Sequence, residues 1–260
     1  MTYGPAMAAA YNRGRGLHPR DIERWMTAAG PYLPSAGGRI LDMGAGTGRF
    51  TNALAWFSTA TVVACEPSAA MRDVFRAGSP HAVLVGGAAE ALPFRARTFD
   101  AVWASQMIHH VRDLPAFAAE LRRVLQPNGH LLIRGGFGPP TELPFYRYFP
   151  RAWTESKAAL VTLDQITGVL SEAGFAVTAH VRVEQTYANS PEELIEKAAT
   201  RSLSPLADLP DQLFEEGLAA LRADAAEGRI AVPVVEQLDL VVLSQPAPPA
   251  PAGTTSAPQH

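Results

Sequence analysis

The residues best suited to chemistry lie in Ile40-Leu41-Asp42-Met43-Gly44-Ala45-Gly46-Thr47-Gly48-Arg49-Phe50. An apolar run ends in glycines and a helical pattern follows. A strand-to-helix turn of this kind lets a ligand rest over the carboxyl edge of a sheet, at a helix N-terminus. The glycines permit unusual backbone angles and remove Cβ atoms that would hold a ligand away. Glu66 ends the next apolar run, 20 residues after Gly46, where a carboxylate can accept bonds from ribose hydroxyls. ATP or GTP would call for Gly-Lys-Ser/Thr at the end of the loop, but Gly48-Arg49-Phe50 stands there. NAD or FAD would call for GxGxxG. Here the third glycine comes one position early, and Arg49 occupies the place where close packing needs a glycine.

The elements needed to hold this loop are legible. Short apolar strands are expected at 39–43, 60–65, 82–85, 99–104 and 130–133, separated by helical patterns at 50–57, 69–77 and 115–125, the last with Asp113 as N-cap. Strand and helix alternating at this spacing predict βαβ units and a doubly wound sheet. A helix is expected over 18–29, after a first ten residues that read as loose. Beyond Ile133 the rhythm changes. A helix over 163–173, a strand over 175–186, a helical insertion over 190–228 and a last strand over 234–243 are expected. The division is a lid-forming N-terminal arm and helix (1–36), a cofactor-binding core (37–137) and an aromatic insertion (138–162). The C-terminal half of the core (163–244) carries the 190–228 insertion, and a tail (245–260) reads as disordered.

The spacing Asp42-x-Gly44-x-Gly46-x-Gly48 resembles motif I of class I S-adenosylmethionine-dependent methyltransferases of the small-molecule type. Further stretches are similar to the family in the same order. These are Glu66-Pro67-Ser68-Ala69-Ala70-Met71, Gly87-Ala88-Ala89-Glu90, Phe99-Asp100-Ala101-Val102 with Ser105 to Val111, and Glu120 to Gly129. The resemblance spans roughly residues 10 to 135. It implies a seven-stranded, mostly parallel α/β sheet with its last strand antiparallel and helical lid insertions. It also implies S-adenosylmethionine as cofactor, held by Asp42, Gly44, Ala45, Gly46 and Gly48, by Glu66 at the ribose, and by Pro67, Met71, Ala88, Ala89 and Glu90 around the adenine. Ser105 and Gln106 would face the same cleft. Many members carry an acid where Ala88 stands, which leaves backbone groups and Glu90 for the adenine amine. Tyr11 and Arg15 resemble a Tyr-x-x-x-Arg lid element in which the arginine pairs with the cofactor carboxylate.

His109 and His110, just past the fourth strand, are the best candidate bases, because imidazole titrates near pH ~6.5. The alternative for either is a structural role at a helix start. Phe137, Tyr146 and Arg134 are expected at the acceptor, in an aromatic region with Phe145, Tyr148, Phe149 and Trp153 that equally suits the private core of a cap. The net charge of −3 offers no footprint for nucleic acid. No apolar run reaches the ~18 residues of a membrane span. No spacing suits zinc, so no metal is expected. The single cysteine, Cys65, excludes an intrachain disulfide and suits the cytoplasm. The expected activity is methyl transfer to a small molecule, in specialised metabolism. An RNA or protein methyltransferase and a non-catalytic S-adenosylmethionine-binding protein are the alternatives.

Overall fold

The computed structural model describes residues 5–79, 81–137, 144–152, 154 and 161–246. Seven strands form one sheet: β1 Arg39–Met43, β2 Thr61–Cys65, β3 Val83–Val85, β4 Phe99–Ser105, β5 Leu125–Gly135, β6 Ala176–Ala188 and β7 Val234–Ser244. Their order is β3-β2-β1-β4-β5-β7-β6. Pairing is parallel from β3 to β5, and β7 lies antiparallel between β5 and β6. The chain leaves β1 toward one side of the sheet and crosses back to β4 on the other. The crevice of this doubly wound sheet therefore opens at the carboxyl ends of β1 and β4.

The helices that accompany the strands include α1 Pro5–Arg15, α2 Pro19–Ala29, α3 Thr51–Ser58, α4 Ala69–Gly78, α5 Leu114–Val124, α6 Leu163–Glu172, α7 Pro191–Ala199, α8 Ser204–Ala207 and α9 Asp211–Ala226. Side chains alternate across the strands with a period of two. Leu41, Met43, Val102 and Leu131 face a core with Phe117 and Leu121 of α5 and Ile166 and Leu170 of α6. Ile40, Ala101, Trp103 and Leu132 face the other core, with Trp25 and Met26 of α2 and Leu54 of α3. Local caps fix the helix starts. Asp113 accepts from the Ala116 amide at 2.9 Å, and Thr162 and Gln165 form a capping box.

A third core belongs to the additions. Phe149 and Ala152 pack with Leu194, Leu206, Phe214 and Leu218, against Tyr187 and Ala188 at the end of β6. Because β6 runs in the same direction as β5, this helical unit hangs from the carboxyl edge, beside the crevice. Phe149 thus serves the core of the cap. Trp153 and most of 138–162 lie outside the described residues, as does the tail from 247 onward.

Two expectations are corrected. The N-terminal segment is a helix from Pro5, not a loose arm; its run of alanines, read as merely small, has the highest helix propensity of any residue. Residues 126–129, which the expected helix over 115–125 and strand over 130–133 left between them, lie within the fifth strand instead. α5 runs straight into β5, and the Asn128 amide donates to the Gln245 carbonyl while Gly129 accepts from the Gln245 amide.

Candidate functional site

The loop after β1 is tied down from below. The amides of Gly44 and Ala45 both donate to the Cys65 carbonyl, at 2.8 and 3.1 Å. Gly44, Gly46 and Gly48 all have positive φ, and they differ in what surrounds them. A Cβ on Gly44 would meet the Met107 side chain at 2.9 Å and one on Gly48 the Phe75 ring at 2.8 Å. A Cβ on Gly46 would meet no atom within 4 Å, so this glycine faces open space.

That space is a cleft of about 600 Å³. Gly44, Gly46, Glu66, Pro67 and Met71 line it, as do Ala88, Ala89 and Glu90, and Ser105, Gln106 and His110. Tyr11 of α1 lines it too. The Glu66 carboxylate is buried beside the loop. Its two oxygens accept from the Gly46 amide at 2.9 Å and the Ser68 amide at 2.8 Å. Burial pushes its pKa up, against the two backbone bonds and the Arg72 charge. A carboxylate oxygen has room for further bonds, so Glu66 is set to receive hydroxyls from a ligand lying over Gly46. Glu90 accepts from the Arg112 amide at 2.8 Å and links two walls of the cleft.

Asp42, Ala45 and Gly48 do not line the cleft. Asp42 lies beneath the loop and accepts from the Thr51 hydroxyl at 2.6 Å. Burial, helped by the Glu66 charge, raises its pKa to about 6. α1 is fastened to the loop: the Thr47 hydroxyl donates to Asn12 at 2.5 Å, and the Arg49 guanidinium donates to the Arg15 carbonyl. Burial alone would raise the Tyr11 pKa, but Arg15, Arg49 and Arg134 together pull it down.

His109 and His110 share a short 3₁₀ turn, Ile108–His110, with ring centroids 4.0 Å apart. His110 faces the cleft. His109 lines a smaller neighbouring cavity of about 30 Å³ with Met107, Arg134, Phe137 and Val161. Burial lowers both pKa values, with Arg15 adding to the effect at each and His110 adding at His109. Both imidazoles are neutral at pH 7.

The residues expected at the acceptor are dispersed. Phe137 is buried at the small cavity, its amide donating to Asp239 at 3.2 Å. Arg134 is 1% exposed and lies over the rings of Trp25 and Phe50 at 4.4 and 5.1 Å. It donates to the Ser105 hydroxyl at 3.1 Å and to Gln185 at 2.5 Å. Tyr146 packs on the helical core and lines none of these cavities.

Sequence reasoning missed three residues. Gln185, Lys197 and Glu236 come from β6, α7 and β7 and meet Arg15, Arg49 and Arg134 at a further small cavity. No local pattern marks them, because the fold brings them from 50 or more residues away from Arg134. Gln106 lines all three cavities and holds a positive φ, an uncommon backbone state for a residue that is not glycine.

Sheet order, glycine loop and strand-end acid together define a Rossmann-like methyltransferase fold. Residues 41–133 match the methyltransferase domain family. The chain is similar to an uncharacterised methyltransferase of Mycobacterium tuberculosis, 39% identical over 131 residues, covering 50% of each chain. It is 42% identical over 142 residues to the demethylmenaquinone methyltransferase of Clavibacter sepedonicus, covering 53% of this chain and 58% of that one. The chain thus spans about half the length of the curated relatives it matches. In fold it is similar to a putative methyltransferase from an antibiotic biosynthesis pathway of Anabaena variabilis, with a TM-score of 0.68 and 24% identity over 88% of this chain and 98% of that one.

Proposed function

We propose that the protein is an S-adenosylmethionine-dependent methyltransferase acting on a small molecule. The carrying observation is the pairing of Gly46, open to the cleft, with the buried Glu66 carboxylate fixed beside it. Glu66 receives the ribose hydroxyls, Pro67, Met71, Ala88, Ala89 and Glu90 border the adenine, and Arg15 takes the cofactor carboxylate. Tyr11, Ser105 and Gln106 enclose the reactive end. When bound, the cofactor supplies an electrophilic methyl on a sulfonium. The chain's own contribution is to hold an acceptor atom in line with that methyl and to exclude water, worth roughly 7–11 kcal/mol in favourable cases. Where the acceptor carries a proton, a neutral nitrogen of His110 or His109 accepts it.

An acceptor that is not a macromolecule is in keeping with one relative, which is named for demethylmenaquinone. A role in specialised metabolism belongs to the same reading. The 1–36 arm, the 138–162 insertion and the 190–228 helices act as lid. Among the described residues no helix is long and apolar enough to cross a membrane. A cytoplasmic site of action suits the lone buried thiol.

Two measurements test the proposal. Calorimetry should show S-adenosylhomocysteine binding to the wild type, and binding weaker by about 1.5–3 kcal/mol in Glu66→Gln, the worth of bonds to a charged acceptor. The wild type incubated with S-adenosylmethionine and a pool of metabolites should release S-adenosylhomocysteine. Tight NAD binding, or equal affinity in Glu66→Gln, sinks the assignment; cofactor binding without turnover against any pool leaves a binding protein instead.

A further inference from the structure

The helix α1 carries Tyr11 and Arg15, yet a helix of 11 residues is marginal on its own and needs outside anchors. On one side it is tied to the glycine loop, through Asn12 and Thr47 and through Arg49 and the Arg15 carbonyl. On the other side stands Lys197 of α7, which is 6% exposed. A lysine ammonium has three N–H donors, and here three acceptors surround it. Its Nζ donates to the carbonyl of Gly16 at 3.2 Å, directly after α1, and to the carbonyl of Tyr187 near the end of β6. The third partner is the Glu193 carboxylate, one turn earlier on α7, at 2.9 Å. The same carboxylate oxygen lies 3.2 Å from His18 Nε2, at the N-cap of α2. The pair of Lys197 and Glu193 therefore grips the Gly16-Leu17-His18 link at both ends and joins it to β6 and α7.

Burying a lysine is costly, and a buried ion pair adds little stability over apolar packing of the same volume. What three fixed bonds add is position. The Gly16 carbonyl follows Arg15 directly, at the end of the helix whose Tyr11 lines the cleft. Lys197 does not line the cleft itself; it borders the small cavity shared with Arg15 and Arg49. The next step rests on the methyltransferase reading, in which Tyr11 encloses the reactive end of the cofactor and Arg15 takes its carboxylate. We propose that Lys197 is a positioning residue for the methyl donor. It fixes the end of α1, and through α1 it sets Tyr11 and Arg15 against the methionine portion of S-adenosylmethionine. The ribose and adenine portions belong to Glu66 and the 87–90 stretch, to which Lys197 makes no hydrogen bond among the described residues.

S-adenosylhomocysteine and adenosine, which lacks the methionine portion, are the probes. Both are titrated into the full chain and followed by amide chemical shifts, which register weak binding as well as tight. Lys197→Met keeps the reach of the side chain and removes its donors. It should weaken S-adenosylhomocysteine by about tenfold or more, the worth of a lost bond to a charged group, and leave adenosine affinity unchanged. Lys197→Gln, which keeps an amide donor, should fall between the methionine variant and the wild type, and it carries the same comparison if Lys197→Met fails to fold. A general loosening of the fold would instead weaken both probes alike. Equal weakening of the two probes, or unchanged S-adenosylhomocysteine affinity in both variants, overturns the proposal and leaves the methyltransferase reading standing. Failure of S-adenosylhomocysteine to bind the wild type overturns both.

Discussion

Asp42 and Glu66 are two buried acids beside the same loop, and the structure separates their work. Glu66 presents its carboxylate to the cleft, whereas Asp42 braces the start of α3 through Thr51. Burial raises the Asp42 pKa from its ordinary value to about 6. The folded state therefore holds this proton more tightly than the unfolded chain. The associated stability is complete below about pH 4 and is lost as the pH rises through about 6. Asp42→Asn, which still accepts from Thr51, should remove that loss and stabilise the fold at pH 8 by up to about 2–3 kcal/mol. Urea melts from pH 4 to 8 decide it; parallel curves for the two proteins would show that Asp42 is ionised at no cost. The histidine pair is different in kind: burial lowers both pKa values, His109 to about 3, which leaves the rings neutral at pH 7 but makes them weaker bases. Replacing the working base by Ala should lower kcat about 10²–10⁴-fold with little change in S-adenosylhomocysteine affinity. Lowered pKa values place the limb of the pH–rate profile on the acid side, leaving the rate flat from about pH 7 to 8. If both Ala variants keep near-normal kcat, transfer relies on positioning alone.

At the scale of elements, α1 is the part whose docking matters most. Its Tyr11 lines the cleft, its Asn12 and Arg15 engage the glycine loop, and its far side meets the chain after α7. Gly14 sits at that contact: a Cβ there would meet the Ser202 Oγ at 2.0 Å, its Cβ at 2.8 Å and the Thr200 Oγ1 at 2.1 Å. The hydroxyls can rotate away but the Ser202 Cβ cannot. Gly14→Val should push α1 off α7, cost about 1–3 kcal/mol of stability and weaken S-adenosylhomocysteine binding. Limited proteolysis should then cut near α1 sooner than in the wild type. Unchanged affinity with α1 released would mean that Tyr11 and Arg15 take no part in the site.

The whole molecule joins a doubly wound sheet to a separate helical core at its carboxyl edge, and one small cavity, lined by Tyr187 and Lys197 together with Arg49 and Arg134, lies where the two meet. Among the described residues no group of three or more His, Cys, Asp or Glu is placed to hold a metal ion. The proposed donor already bears a leaving sulfonium, so charge for the reaction does not have to come from a cation. Turnover should survive dialysis against a chelator. Activity lost on chelation and restored by magnesium would overturn this expectation.

Much of this was legible in the sequence because it is local. Period-two apolar runs and βαβ spacing marked the core strands, with edges within a few residues. Gly44, Gly46 and Glu66 stood out because space over a helix start calls for glycines and a strand-end acid, whereas the structure sets Asp42 beneath the loop and Gly48 against the Phe75 ring. Local rules failed where two readings share one composition: the alanines of α1 suit a loose arm as well as a helix, and only contacts with α4 and α7 choose between them. Tertiary structure alone decided which aromatics serve the cap core, that Tyr146 stands away from the cavities, and that Arg134 stacks between Trp25 and Phe50. It alone gathered Arg15, Arg49, Arg134, Lys197 and Glu236 around one small space. Charge balance in a buried cavity is a property of neighbours in three dimensions, and neighbours drawn from five separate stretches of chain leave no pattern along it.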